Sequence, residues 1–134
     1  MIVLDEQLLG RGLETAIASW YPGSVCFIHE LRPQTIVKDE AISSLLQHQR
    51  QPTFVTINER DFWLKIEADP RYCVICFVLS DSQAKLIPPL LKTLLRAPEF
   101  RTKAKRMGRV IRITKAEISF YTWESDAIQV LRRQ

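Results

Sequence analysis

The segment Tyr72–Leu79 reads Tyr-Cys-Val-Ile-Cys-Phe-Val-Leu and is apolar throughout. A strand with one wet face alternates polar and apolar residues, so a run without alternation needs cover on both faces. Parallel sheets provide that cover, because the helices that connect their strands pack on both sides. The same strand disposes of the one Cys-x-x-Cys spacing, Cys73 to Cys76. Side chains alternate faces along a strand, so residues three apart point opposite ways and cannot grip one zinc ion. No second pair completes a zinc site, and with Cys26 these residues read as buried thiols behaving as small hydrophobes.

The rest of the chain supplies the crossover pattern. Ile2–Asp5 predicts a first strand, and Leu8, Leu9, Leu13, Ala16, Ile17 and Trp20 fall at helical spacing over Glu6–Trp20, Gly10 and Gly12 notwithstanding. Tyr21-Pro22-Gly23 is a turn, Ser24–His29 a second strand, and Arg32-Pro33-Gln34 a loop. A helix is expected from Asp39 to about Gln49, with Asp39 suited to an N-cap. Thr53–Ile57 is the third strand and Tyr72–Leu79 the fourth. A helix over Gln83–Arg96 with a fresh turn at Pro88-Pro89, a shorter one over Glu99–Met107, a hairpin of Arg109–Thr114 with Glu117–Trp123, and a terminal helix over Glu124–Arg133 complete the chain. The expected fold is three-layer α/β/α, with a mainly parallel central sheet and a C-terminal β-hairpin. At 134 residues, of which 46% are hydrophobic, it fills one domain, 1–134.

The longest wholly apolar run, Cys73–Leu79, is far short of the roughly 20 residues a membrane span needs. Met1–Glu6 has no basic stretch ahead of its apolar residues, which argues against a secretory signal and for the cytoplasm.

In open α/β sheets ligands bind outside the carboxyl ends of the strands. Asp5 and Glu6 close strand one, Asn58, Glu59 and Asp61 follow strand three, Asp81 follows strand four, and Asp39 and Glu40 open the helix after strand two. Carboxylates gathered at one place repel each other, and a bound cation relieves them. Hard oxygen donors of this kind suit Mg²⁺ or Mn²⁺. Each acid also has a plainer reading: Asp39 and Asp81 as N-caps, Glu6 and Glu59 as solvated charges.

Three segments resemble the PIN-like nucleases. Val3-Leu4-Asp5-Glu6 looks like their opening strand. Lys38-Asp39-Glu40-Ala41-Ile42 is similar to a helix start of their short, toxin-type branch. Thr56-Ile57-Asn58-Glu59-Arg60-Asp61-Phe62-Trp63 looks like that branch's Thr–acid–acid–Phe segment. The resemblance covers about residues 2–80. It implies a metal-dependent ribonuclease, often the toxin paired with an antitoxin protein. Asp5, Asp39, Asn58 and Asp61 would be the metal ligands. Asp5, Asp39, Glu40 and Asp61 would be the catalytic set, Glu40 assisting as ligand or base. Asn58 departs from the pattern, since many relatives carry an acid there, and an amide oxygen ligates without adding charge.

Between Arg96 and Lys115 eight cations face one acid, Glu99. That segment carries +7, leaving −3 for the rest of a chain of formal charge +4. Such asymmetry fits phosphate contacts with RNA; Arg101, Lys103, Lys105, Arg106, Arg109 and Arg112 are the nucleic-acid-binding candidates. It fits an acidic protein partner as well, and a solubilising face. His29 and His48 form no recognisable catalytic pair, and no phosphate-binding Gly-rich loop is present. Two functions follow: a ribonuclease, or a catalytically silent PIN-like module that binds RNA or a protein. The hairpin and the leucine-rich Leu86–Leu95 are the expected faces of a homodimer.

Overall fold

The structure is a computed structural model, and it describes residues 1–33 and 37–133. Gln34, within the expected loop, lies outside the described residues. A single seven-stranded sheet runs through the molecule in the order β2-β1-β3-β4-β5-β6-β7. The strands are β1 (Ile2–Leu4), β2 (Val25–Phe27), β3 (Thr53–Thr56), β4 (Cys73–Phe77), β5 (Arg109–Ile113), β6 (Glu117–Thr122) and β7 (Ser125–Arg132). The first five are parallel, and β6 and β7 join antiparallel. The helices are α1 (Leu13–Ala18), α2 (Asp39–Gln47), α3 (Glu59–Phe62), α4 (Ile87–Arg96) and α5 (Lys103–Arg106).

Alternation along the buried strands feeds two cores. Ile2, Leu4, Ile75, Phe77 and Ile111 meet Ile17 of α1 and Leu91 of α4 on one face. Val3, Phe54, Val74 and Val110 meet Ile42 and Leu46 of α2 and Phe62 of α3 on the other. β4 is buried along its whole length, as its composition requires. Cys73 belongs to the first core and Cys76 to the second, so the two thiols lie on opposite faces. Burial pushes the Cys73 thiol up to about 12 and raises that of Cys76 too, which keeps both protonated and inert.

The connections β1–β2 and β4–β5 pass over the same face but step in opposite directions along the sheet, so they differ in hand. The β2–β3 and β3–β4 connections, on the other face, agree in hand with β1–β2. The β4–β5 crossover therefore stands alone, against the strong preference for one hand.

Several expected elements are corrected. The helix expected over Glu6–Trp20 is a 3₁₀ turn, Glu6–Leu8, followed by α1, because Gly10 (φ 75°) and Gly12 (φ 70°) adopt left-handed backbone between them. Gln83–Arg96 likewise divides into a 3₁₀ turn, Asp81–Leu86, and α4, which restarts at Pro88-Pro89. Of Glu99–Met107 only α5 is helical, capped by the Thr102 hydroxyl, which accepts from the Lys105 amide. Among the described residues the C-terminal segment holds no helix. Trp123-Glu124 is a two-residue turn, and the chain returns as β7 on the free edge of β6, pairing Leu131 with Ile118. The C-terminal end is thus a three-stranded antiparallel extension of the sheet, not a hairpin followed by a helix. Among the described residues no helix is long and apolar enough to cross a membrane.

Candidate functional site

β1 is flanked by β2 on one side and β3 on the other, so the chain leaves its carboxyl end toward one neighbour and returns on the far side. The loops diverge there and open a crevice, the usual ligand position in doubly wound sheets. Asp5 stands at that point, directly after β1, its amide bonded to the Val55 carbonyl of β3. It is buried, and its Oδ2 accepts from the Thr56 hydroxyl at 2.7 Å. The same hydroxyl accepts from the Asn58 amide at 2.9 Å. Thr56 thereby ties the end of β1 to the turn after β3. Burial raises the Asp5 pKa, opposed by the Thr56 hydroxyl and the nearby amides of Gln7 and Glu6.

Asn58 caps α3: its Oδ1 accepts from the Asp61 amide at 3.3 Å, and its Nδ2 donates to Asp61 Oδ2 at 2.6 Å. Asp61 is exposed, and its carboxyl is held low, first by the Asn58 amide, with neighbouring Asp39, Lys65 and Arg60 assisting. Asp39 is raised by desolvation first, and then by its neighbours Asp61, Asp5 and Glu40. Two carboxylates on one groove repel each other, and each disfavours the ionised form of the other. The N-cap of α2 is Lys38 and not Asp39, so the Asp39 carboxylate makes no cap and is available to Asp61. Asp39, Glu40, Ser43, Asp61, Lys65 and Glu67 line one groove of about 440 Å³.

Asp5, Asp39, Glu40, Asn58 and Asp61 therefore gather at one end of the sheet. Among the described residues no three His, Cys, Asp or Glu side chains are close enough together to grip one ion. Asp81 stands apart from this group in an ion pair with Arg11 at 3.1 Å, and the cap before it is Ser80. His29 stacks on Phe27 with its buried Nδ1 unpaired, and His48 Nδ1 meets the Ser44 carbonyl.

The basic candidates divide. Arg112 of β5 lies at the acidic end, bonded to Glu59 at 3.0 Å. Arg101, Lys103, Lys105 and Arg106 precede β5, whose neighbour Gly108 donates to the Tyr72 carbonyl at the start of β4. They belong to the opposite, amino end of the parallel strands, where burial first, and then the charges of Lys103 and Arg106, depress the Met1 amino group. Arg109 lies over the Phe100 and Phe120 rings, 5.3 and 4.8 Å from their centroids, and donates to the Glu99 carbonyl.

The sequence placed Thr56 at the head of the Thr–acid–acid–Phe segment without assigning it a role. Its signal is a hydroxyl at the end of a fully buried strand, where an apolar residue is the norm. Lys65 and Ser43 are likewise new to the groove. The chain matches no family model, no curated protein and no solved structure.

Proposed function

We propose that the protein is a PIN-like, metal-dependent ribonuclease, working in the cytoplasm as the toxin partner of an antitoxin protein. The observation that supports this reading is that Asp39 and Asp61 line one groove at the carboxyl end of the parallel strands, with buried Asp5 at the switch point of the sheet. The donor set fits a hard divalent cation. Mg²⁺ is commonly held by one or two carboxylates with several retained waters, which Asp39 and Asp61 on the one groove can supply. Asp39 and Asp61 would hold the ion, with Asp5 beside them. When bound, Mg²⁺ or Mn²⁺ supplies charge neutralisation at a phosphodiester and polarises a water for in-line attack.

The chain's own residues set the rest. Asn58 uses both amide atoms to orient Asp61, so in this reading it is a positioning residue more than a ligand. Thr56 fixes the Asp5 carboxylate. Glu40, on the same groove, is placed to accept a proton from water. Arg112, half-buried beside Glu59, and Lys65, on the groove itself, are the basic residues at this end that would face a phosphate.

A second reading, a silent module that binds RNA or a protein, is favoured by one observation: most of the cationic segment lies at the far end of the sheet from the acids. One experiment separates the two. Purified protein and its Asp5→Asn variant are incubated with single-stranded RNA in Mg²⁺, in Mn²⁺ and in chelator. Cleavage that requires the metal and is lost in the folded variant is expected. A folded wild type that cleaves nothing in any condition transfers the case to the binding module.

A further inference from the structure

We infer that the groove at the amino end of the sheet is a second binding site, built for a nucleotide unit: phosphate on its cations, base on Trp20. The groove, of about 500 Å³, lies between the turn after α1, the end of α4, and α5. Trp20, Tyr21, Arg96, Arg101, Lys103 and Arg106 are among its lining residues; with Lys92 it holds five cations and no carboxylate. Concentrated positive charge with no internal counter-charge attracts an anion.

Arg106 gives the independent sign. Its side chain is 96% buried, since only 4% of the residue is exposed. Nη1 donates to the Phe100 and Arg101 carbonyls at 2.9 and 3.0 Å. Nε is buried with no partner, and among the described residues no carboxylate pairs with this guanidinium. A buried charge without a counter-ion is costly, and an anion in the groove supplies the missing counter-charge. A guanidinium presents its donors in a planar fork suited to phosphate oxygens.

The aromatic wall selects among anions. Trp20 and Tyr21 are half-buried and packed edge to face, ring centroids 6.1 Å apart, at the margin of the cationic patch. A carboxylate-rich peptide has no use for such a wall. A nucleotide stacks its base on an aromatic face while cations take its phosphate. This site lies at the end of the sheet opposite the acids, so it does not depend on the cleavage reading.

The test is run in chelator, which silences any metal chemistry at the other end. Adenosine 5′-monophosphate, inorganic phosphate, a single-stranded oligoadenylate and an oligoglutamate are titrated into wild type by calorimetry. Saturable binding of a nucleotide probe is expected, with inorganic phosphate at least roughly tenfold weaker and oligoglutamate no better than phosphate. Equal affinity for the mononucleotide and the oligomer identifies a free nucleoside phosphate as the source; tighter binding of the oligomer identifies a strand. Arg101 and Lys103 are exposed, so Arg101→Glu/Lys103→Glu should fold normally and lose about tenfold or more in affinity. Trp20→Leu should abolish the preference for nucleotide over phosphate. The inference is overturned if no nucleotide probe binds the folded wild type, if oligoglutamate binds as well as they do, or if the charge-reversed variant binds unchanged.

Discussion

Asp5 shows how much a single hydroxyl can decide. Its carboxylate and the Asn58 amide share the Thr56 Oγ1 as partner, one on each side. Thr56→Val keeps the shape and removes that oxygen, leaving a buried acceptor and a donor with a partner missing. The expected cost is about 1–3 kcal/mol of stability, and Thr56→Ser should restore most of it. Urea denaturation of the three proteins checks this; a Val variant as stable as wild type would mean that water replaces the hydroxyl at no cost. The residues themselves differed in how far the sequence revealed them. Asp5, Asp39 and Asp61 could be read because acids after apolar strands are conspicuous and the topology directs them to one end. Thr56 could not, because its role depends on the pairing of Leu4 with Val55, which brings the ends of β1 and β3 side by side. The double use of Asn58, as cap and as donor to Asp61, was hidden likewise, since an amide at that place reads first as a ligand.

At the scale of elements, the join between α5 and β5 is the most constrained. Gly108 has φ 86°, and an added Cβ would run into the Trp123 indole from the β6–β7 turn. Gly108→Ala should therefore destabilise by about 1–3 kcal/mol from left-handed backbone alone, with the clash adding to it. Trp123 is 54% exposed, so removing it is cheap by itself. In a double-mutant cycle Gly108→Ala/Trp123→Ala should cost less than the two single changes together, because the second relieves the clash made by the first. Simple additivity would show that the indole moves aside freely. The elements that were legible are those with one dominant cause, such as β4, whose unbroken apolar run demands burial. Those that were not depend on competition. Gly10 and Gly12 weaken a helix only slightly but adopt left-handed backbone at no steric cost, and here they take it, breaking the expected helix in two. β7 becomes a strand because β6 offers an open edge two residues away, although Ile128 and Val130 stay exposed. The leucines of Leu86–Leu95 answer in the opposite sense, since Leu91, Leu94 and Leu95 are buried in the molecule's own core.

The molecule as a whole has an acidic end and a basic end, and the linear charge pattern could not say so: +7 in one segment gives an amount, whereas the sheet gives its direction. The acidic end has a thermodynamic consequence. Asp5 and Asp39 both have raised pKa values, so over the window from the ordinary value of 3.8 up to those raised values the native state holds more protons than the unfolded chain. Stability then falls as pH rises through that window, and the penalty is absent below it. Asp61 acts in the opposite sense, its lowered carboxyl adding stability that is lost at low pH, but it is fully exposed and screened. Asp5→Asn isolates the first effect, because an amide oxygen can still accept from Thr56. The variant's stability relative to wild type should improve as pH rises from 3.8 through the raised Asp5 value, and level off above it. Mg²⁺ or Mn²⁺ at pH 7 should raise the melting temperature of the wild type by relieving the same repulsion, and Asp39→Asn should remove that response. A pH-independent difference would show that Asp5 is ionised as easily in the fold as outside it. A metal response that survives in Asp39→Asn would place the cation somewhere other than the carboxyl pair, and with it the chemistry assigned to that end of the sheet.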